Sequence, residues 1–291
     1  MSLPPAVEAA LGEALGAEPV SARPVGGGSI NRAARVALDD GREVFVKHHP
    51  EAPPGAFALE ADGLRWLGVP GAPRVPEVLA VGDAPGARFL ALEWIADGGG
   101  GGATAGEEMG RSLAALHRAG APSFGWERDN VIGPLPQAND PLPDWAGFHA
   151  ERRLLPMARA AADAGGLTPA GAARVEAVAA RLPDLGGPPE PPARLHGDLW
   201  GGNAMLGAEG GPVVIDPAVY GGHREMDLAM MRLFGGFPAS AFAAYEEEHP
   251  LAPGHEDRVE LCQLYPLLVH AVLFGASYGA SAERVARRYA G

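Results

Sequence analysis

Apolar residues in the first third of the chain recur at two different spacings. A helical spacing predicts helices at residues 4–15 and 56–67. Shorter apolar stretches bounded by turn signals predict strands, at residues 34–38, 43–47, 75–81 and 88–94. The first two strands flank the turn Asp39-Asp40-Gly41, which favours a β-hairpin. After the N-terminal helix, this part of the chain is therefore expected to form a small antiparallel β-sheet with one helix.

The pattern changes after Asp97, where five consecutive glycines at residues 98–102 form a flexible or tightly turning connection. Beyond them helical spacing dominates, and predicted helices include residues 104–118, 144–162, 168–181, 258–278 and 282–289. Two short strands are predicted at residues 204–206 and 213–215. The sequence therefore predicts an α+β fold with a small β-rich lobe at residues 1–96 and a larger, mainly helical lobe at residues 97–291.

Composition narrows the possible functions. The 291 residues carry a formal net charge of -13, which argues against a nucleic-acid partner because such proteins present a basic face. An acidic protein suits cationic ligands such as amines, although negative charge also serves solubility alone.

The expected environment is the cytoplasm. The only cysteine, Cys262, cannot form an intramolecular disulfide, and the N-terminus lacks the pattern of a signal peptide. The most apolar stretch, residues 261–278, is short and is interrupted by Gln263, Pro266 and His270, so no membrane association is predicted.

Residues 195–204 read LHGDLWGGNA and carry the strongest chemical signal. Asn203 follows Asp198 by five positions, which is the D-x-x-x-x-N spacing of kinase catalytic loops. In such loops the aspartate accepts the proton of the attacking hydroxyl, and the asparagine oxygen ligates Mg²⁺, which prefers oxygen donors. Gly201 and Gly202 make it easy for the loop to turn both side chains toward one phosphate.

A second acidic residue follows the predicted hairpin at residues 204–215. Two short strands joined by a glycine-rich turn return the chain, so Asp216 is expected close to Asp198 and Asn203 as the second metal ligand. The alternative is that Asp198 and Asp216 are turn or cap residues, as aspartate often is. The combination of both motifs favours the metal site.

Two further residues are predicted to support this loop. His196 could act as a general base, but Asp198 already fills that role, so a packing and hydrogen-bonding role is favoured. Asp227 opens a predicted helix, where it could cap the helix or brace the catalytic loop by hydrogen bonding. These two roles of Asp227 are compatible.

The N-terminal lobe supplies groups for a nucleotide. Lys47 ends the strand VFVK and matches the strand lysine that holds the α- and β-phosphates of ATP, and Glu60 in the following helix could pair with it. The alternative is a surface lysine and a surface glutamate. A phosphate-covering turn is predicted at Gly26, Gly27, Gly28 and Ser29. Backbone contacts to adenine are predicted at the lobe junction, at Glu93, Trp94 and Ile95.

Several stretches together resemble the fructosamine kinase (ketosamine kinase) family. The matching segments are GGGSIN at residues 26–31, VFVK at 44–47, HGDLWGGN at 196–203, IDPAVYGGHREMDLAMMRLFGGF at 215–237 and LYPLLVHAVLFG at 264–275. Aminoglycoside and choline kinases are similar in the HGD…N…D core but differ in residues 215–237.

The resemblance implies a two-lobed protein-kinase-like fold similar to the aminoglycoside phosphotransferases, with a nucleotide-binding lobe at residues 1–96 and a catalytic and substrate-binding lobe at residues 97–291. It implies transfer of phosphate from ATP, with Mg²⁺, to the C3 hydroxyl of a ketosamine, which leads to deglycation of amines or proteins. The family's functional roles carry over to Lys47, Glu60, Asp198, Asn203 and Asp216. Trp200 and His223 are weaker candidates for sugar contacts.

The sequence departs from the family pattern at three positions. Many relatives have serine where Gly201 stands and tyrosine where Gly221 stands, which affects fine substrate contacts rather than the phosphate chemistry. Many relatives also have cysteine at the position of Ser29, so thiol-based control through that loop is not expected.

Two other functions stay open from the sequence. One is a kinase for another small alcohol or amine, such as an aminoglycoside or a choline-like compound. The other is a nucleotide-binding pseudokinase scaffold, although the set Lys47, Asp198, Asn203 and Asp216 argues against it. The preferred sugar, the amine carrier and the oligomeric state are also left open.

Overall fold

A computed structural model describes residues 3–26, 32–49, 51–99 and 102–291. In chain order the helices of these residues are α1 Pro5–Leu15, α2 Ala56–Leu67, α3 Gly102–Arg118, α4 Trp145–Phe148, α5 Leu155–Asp163, α6 Pro169–Leu185, α7 Glu225–Phe234, α8 Ala239–Glu248, α9 His255–Phe274 and α10 Ala276–Tyr289. The strands are β1 Pro19–Pro24, β2 Arg32–Leu38, β3 Glu43–His48, β4 Val78–Ala84, β5 Ala87–Glu93, β6 Asn130–Ile132, β7 Leu135–Gln137, β8 Ala193–Leu195, β9 Ala204–Leu206, β10 Pro212–Val214 and β11 Tyr220–Gly222.

Internal contacts divide the chain into two compact units. The first unit contains Met1–Gly68, Pro73–Gly101 and Ala204–Pro217, and the second contains Val69–Ala72, Gly102–Asn203 and Ala218–Gly291. The segment at residues 204–217 thus packs within the first unit, although it lies in the C-terminal lobe of the sequence-based division. The functional division into lobes at residues 1–96 and 97–291 stays a prediction.

The first unit is built on a five-stranded antiparallel sheet with the strand order β1-β2-β3-β5-β4. Successive side chains of a strand point to opposite faces. On β5, Phe89 and Ala91 accordingly pack in the core that includes α1, whereas Leu90 and Leu92 pack in the core that includes α2. The sheet is therefore covered on both faces.

The predicted hairpin and the helix at residues 56–67 are confirmed, and strand β1 is an addition. The hairpin pairs β2 with β3, and α2 has the predicted bounds. β1 reads PVSARP, has a proline at each end and shows no alternation of buried and exposed residues. A strand of this kind at a sheet edge has no hydrophobic pattern that would reveal it.

The predicted hairpin after residue 203 is also present, as β9 paired with β10. Arg74 attaches it to the rest of the first unit, because the Arg74 N–H donates to the carbonyl of Pro212 and the Val214 N–H donates to the carbonyl of Arg74. Asp216 follows this hairpin directly and is thereby placed in the first unit.

The second unit is mainly helical, and two predicted helices differ in detail. The predicted helix at residues 258–278 ends at Gly275, which has a left-handed φ of 87°, and α10 begins after it. The predicted helix at residues 144–162 contains a π-helical turn at His149–Leu154 between α4 and α5. Two short strand pairs, β6 with β7 and β8 with β11, complete the unit.

Helices α3 and α8 pack closely, and a glycine makes this possible. A Cβ at Gly110 of α3 would overlap the carbonyl oxygen of Ala241 in α8.

Among the residues that the structure describes, no helix combines the length and apolarity required to cross a lipid bilayer.

Candidate active site

Lys47 forms the centre of an ionic cluster in the first unit. Its Nζ donates to Oε1 of Glu60 on α2 at 2.7 Å and to the carboxylate of Asp216. Lys47 is 7% exposed. Burial opposes the charged form of the amine, but the charges of Glu60 and Asp216 outweigh it and raise the pKa of Lys47. Burial raises the pKa of the Glu60 carboxyl as well, against the opposing charge of Lys47. The predicted Lys47–Glu60 pair is therefore present.

The backbone of Asp216 has an uncommon conformation. Its φ is 55°, and it is the one non-glycine residue with a left-handed φ in the described parts of the chain. The following residue is Pro217, and a residue before proline prefers an extended backbone. Such a conformation costs about 1–3 kcal/mol and typically persists where function requires it. The conformation thus singles out Asp216 on grounds independent of its motif.

The segment that follows β5 is fixed by side-chain and backbone contacts. The Glu93 carboxylate accepts hydrogen bonds from Arg74 and from the Glu77 N–H. The Trp94 ring lies 6.4 Å from that of Phe45 and 4.6 Å from the Arg35 guanidinium carbon. These contacts hold the strand end in place, and its predicted role at adenine stays a prediction.

The other residues predicted near the nucleotide are placed as follows. Ile95 lies near Gly207 of the hairpin turn, and the neighbouring Ala96 accepts a hydrogen bond from the Ala208 N–H. Gly26 is exposed after β1. The rest of the predicted phosphate-covering turn, Gly27, Gly28 and Ser29, lies outside the described residues.

In the second unit, Asn203 and Asp198 are joined directly. The Nδ2 group of Asn203 donates to the backbone carbonyl of Asp198 at 2.9 Å and to its carboxylate at 3.0 Å. Both partners are acceptors, so the amide orientation is determined by the network. The two hydrogens of the Asn203 amide are thus committed to Asp198, and its oxygen is the atom that suits a cation.

One carboxylate holds the backbone just before Asp198. Asp227 on α7 accepts hydrogen bonds from the His196 N–H at 2.8 Å and from the Gly197 N–H at 2.9 Å. Asp227 is 1% exposed, and burial alone would raise its pKa, yet the hydrogen bond from His117 and the nearby donors lower the pKa of this carboxyl. It is therefore a buried, ionised acceptor for the loop.

His196 is fully buried, and its Nδ1 accepts a hydrogen bond from the Asp198 N–H at 3.2 Å. This contact suits the predicted supporting role better than proton transfer. Gly197 has a left-handed φ of 82°, and a Cβ there would overlap the carbonyl oxygen of Ala218. The HGD sequence thus has a steric reason for its glycine.

Two further glycines bear on the departures from the family pattern. The Gly201 N–H donates to the carbonyl of Gly235 at 3.2 Å, and a Cβ at Gly201 would lie 2.8 Å from Cα of Gly236. At Gly221 a Cβ would overlap the carbonyl oxygen of Ser123. Larger residues at either position require the facing backbone to lie farther away.

The two weaker sugar candidates differ in accessibility. Trp200 is 40% exposed and packs edge-on against Phe234. His223 is 4% exposed, lies 3.8 Å from Glu190 and is close to the ring of Trp145. Burial gives His223 little surface for a substrate, and the sugar contacts of both residues stay predictions.

Each unit offers one oxygen donor of the kind that Mg²⁺ prefers. These are the Asp216 carboxylate in the first unit and the amide oxygen of Asn203 in the second. That the two bind one metal ion stays a prediction. Within the described ranges no group of three or more His, Cys, Asp and Glu side chains is arranged to hold a metal ion.

Sequence reasoning missed His117 on α3 and Tyr245 on α8. His117 contacts Asp227 and Tyr245 inside the second unit. On helical spacing His117 shares the buried face of α3 with Leu113, so it looked like an ordinary core position. The only available signal was a polar ring on an apolar face.

Comparison with known protein families gives a match over nearly the whole chain. A sequence profile described as fructosamine kinase matches residues 5–290. A Synechocystis protein named as a probable ketoamine kinase is 39% identical over 268 residues, which cover 91% of this chain and 89% of that relative. The chloroplastic protein-ribulosamine 3-kinase of Arabidopsis thaliana is 37% identical over 271 residues, with 91% and 81% covered.

Solved structures agree with the sequence matches. A crystal structure from Thermobifida fusca that carries a provisional fructosamine-3-kinase name superposes with a TM-score of 0.88 at 46% identity, covering 97% of this chain and 98% of that one. The aminoglycoside phosphotransferase APH(2'')-Ib superposes with a TM-score of 0.62 at 14% identity, covering 99% and 98%. The predicted protein-kinase-like fold is thereby confirmed.

Proposed function

The chain belongs to the fructosamine kinase family, and on that premise we propose that it phosphorylates ketosamines with ATP and magnesium. The acceptor is a sugar hydroxyl, at C3 in the relatives named as 3-kinases, of a fructose or ribulose unit linked to an amine. The observation that carries the proposal is the ionic cluster of Lys47, Glu60 and Asp216, because a phosphate-binding lysine of a kinase needs such a partner.

The kinase pattern gives each residue a role, and the contacts of Lys47 support the role of that residue. Lys47, held by Glu60, binds the α- and β-phosphates of ATP. Asp216 and the amide oxygen of Asn203 would hold the metal ion, which would neutralise phosphate charge. Asp198 accepts the proton of the sugar hydroxyl and orients it toward the γ-phosphate. Positioning and electrostatics supply most of the acceleration.

The test is the variant Asp198→Asn, assayed with ribulose-lysine and fructose-lysine by phosphorus NMR. We expect turnover to fall by about 10²–10⁴-fold, because general-base catalysis contributes this much. Nucleotide binding should stay near the wild-type value. Asp163→Asn, at an exposed position in the last turn of α5, is the matched control and should keep full activity.

The variant Asp216→Ala separates metal binding from base catalysis. It should weaken binding of the magnesium–nucleotide complex, whereas Asp198→Asn should not. Full activity of Asp198→Asn, or no phosphorylation of either ketosamine by the wild-type protein, would contradict the proposed function. A wider acceptor screen in the second case would test other small alcohols and amines.

A cytoplasmic location also stays a prediction.

A further inference from the structure

A chain of buried side chains runs behind the catalytic loop in the second unit. The hydroxyl of Tyr245 lies 2.8 Å from Nδ1 of His117, and Nε2 of His117 lies 3.3 Å from Oδ2 of Asp227. Asp227 in turn holds the N–H groups of His196 and Gly197. Tyr245 and Asp227 are each 1% exposed and His117 is 3% exposed. Water is therefore excluded from these bonds, and the side chains must satisfy one another.

The donors and acceptors of this chain can be assigned. Asp227 is ionised and can only accept, so Nε2 of His117 carries a hydrogen. The positive charge of Arg224 acts on the Tyr245 hydroxyl and favours its ionised form, but burial outweighs it, raises the pKa of Tyr245 and keeps the hydroxyl protonated. In an uncharged His117 ring with its hydrogen on Nε2, Nδ1 is the acceptor for the Tyr245 hydroxyl.

Arg224 fixes the outer end of the chain. Its guanidinium donates to both carboxylate oxygens of Glu190, at 2.7 and 2.8 Å, and to the carbonyls of His249 and Pro250. The position of Tyr245 is set from the other side by the close packing of α8 on α3. The Tyr245 oxygen is thus held in one place, beside Nδ1 of His117.

We propose that Tyr245 is a positioning residue for phosphoryl transfer, which acts by selecting the His117 tautomer that donates to Asp227. Without the hydroxyl, the hydrogen of the neutral ring can occupy Nδ1, and Nε2 then presents a lone pair to the Asp227 carboxylate. The carboxylate would turn away from that nitrogen and loosen its hold on the two amides before Asp198. The proposal rests on the proposed function, because Asp198 must be the base for loop placement to affect turnover.

The direct test is Tyr245→Phe, which keeps the ring and removes the hydroxyl. We expect kcat with a ketosamine to fall about tenfold, the factor that one buried hydrogen bond supports, with the KM for ATP within about twofold. Tyr289→Phe is the control, because it removes a tyrosine hydroxyl that donates to the carbonyl of Asp257, away from this chain. It should leave kcat unchanged.

A double-mutant cycle separates positioning from general loss of packing. If Tyr245 acts through His117, Tyr245→Phe should lower kcat no further in a His117→Leu background. His117→Gln, whose side-chain amide can donate to Asp227 without a choice of tautomer, should likewise make kcat insensitive to Tyr245→Phe. Multiplicative losses in either background, or a wild-type kcat in Tyr245→Phe alone, would overturn the proposal.

A spectroscopic measurement keeps this test independent of the proposed function. The ¹⁵N spectrum of the His117 ring should show hydrogen on Nε2 alone in the wild type, and a mixture of tautomers in Tyr245→Phe. Identical spectra of the two proteins would show that Tyr245 does not select the His117 tautomer, even if activity changed. If the wild-type protein phosphorylated no ketosamine, this result would contradict the proposed function. The spectra would still decide whether Tyr245 selects the His117 tautomer.

Discussion

At the scale of single residues, two left-handed backbones lie at positions predicted to support catalysis, and the one at Asp216 is costly because Asp216 is not a glycine. Asp216 has a left-handed backbone before a proline, and Gly197 has one just before Asp198. Both are held by neighbours: the Asp216 carboxylate by Lys47, and the Gly197 N–H by Asp227. The surrounding contacts therefore determine these backbones, which is how strain persists at functional positions.

Gly197→Ala tests whether the contacts around Gly197 determine its backbone. The new methyl group meets both a left-handed φ and the carbonyl of Ala218, so we expect a loss of at least about 2 kcal/mol in stability and a large fall in kcat. Denaturant unfolding and turnover are the measurements. Gly165→Ala is the control, since its φ is 72° but its Cβ would meet no atom within 4 Å.

The control should cost only about 1 kcal/mol and leave turnover unchanged. Equal losses of stability in both variants would show that the carbonyl of Ala218 sets no limit at Gly197.

At the scale of elements, the π-helical turn His149–Leu154 organises the interior of the second unit. Wider turns of this kind are rare and often lie at functional sites. Arg153 on this turn is fully buried, donates to the carbonyl of Ala138 and to the Asn139 side chain, and lies 4.1 Å from the ring of Tyr220. Tyr220 belongs to β11, which pairs with β8 just before the catalytic loop. The turn therefore supports the strands that carry the loop.

His149 on the same turn predicts a dependence of stability on pH. It stacks on Trp145 at 4.7 Å, and neither ring nitrogen has a hydrogen-bond partner among the described residues. Burial, with a smaller contribution from the positive charge of Arg153, lowers the pKa of His149 to about 3. Below about pH 6.5 the unfolded chain binds a proton at His149 that the folded protein excludes, so stability falls as the pH drops toward 3.

The variant His149→Phe should remove this component. Between pH 6.5 and 5 its free energy of unfolding should fall by about 2 kcal/mol less than that of the wild type, as linkage predicts for one such group. Urea unfolding at a series of pH values measures the difference. Parallel curves for variant and wild type would show that the folded protein also protonates His149.

At the scale of the whole molecule, the dominant property is the net charge of -13. A ketosamine carries an amine that is positively charged when protonated, and a basic peptide carrier adds further positive charge. An acidic protein attracts such substrates at long range, and dissolved salt weakens this attraction by screening the charges. The charge therefore bears on the encounter with substrate rather than on the phosphoryl transfer.

We expect kcat/KM for a ketosamine on a basic peptide to fall several-fold between about 0.05 and 0.5 M salt. The matched control is the same adduct on a carrier without other charges, whose kcat/KM should change much less. Steady-state kinetics at both ionic strengths measure the two values. Equal salt dependence for the two substrates would show that the net charge serves solubility only.

Most local elements could be predicted from the sequence, because their signals lie within a few residues. Helix α2 and the β2–β3 hairpin follow from spacing and from an Asp-Gly turn. The Lys47–Glu60 pair could be predicted because a kinase pattern specifies a strand lysine and a helix glutamate. The edge strand β1 and the break at Gly275 could not, since neither interrupts the local pattern of apolar residues.

The sequence by itself determined the identities and the order of the chemical groups: a strand lysine, an HGD loop with its asparagine, and a hairpin that ends in Asp216. Only the tertiary structure decided which distant side chains form hydrogen bonds with these groups and keep them in position. Asp227 accepts from an amide 31 residues away, and His117 meets Tyr245 across 128 residues. Spacing along a chain specifies local geometry, whereas partners so far apart are selected by the packing of whole helices, to which every buried residue contributes.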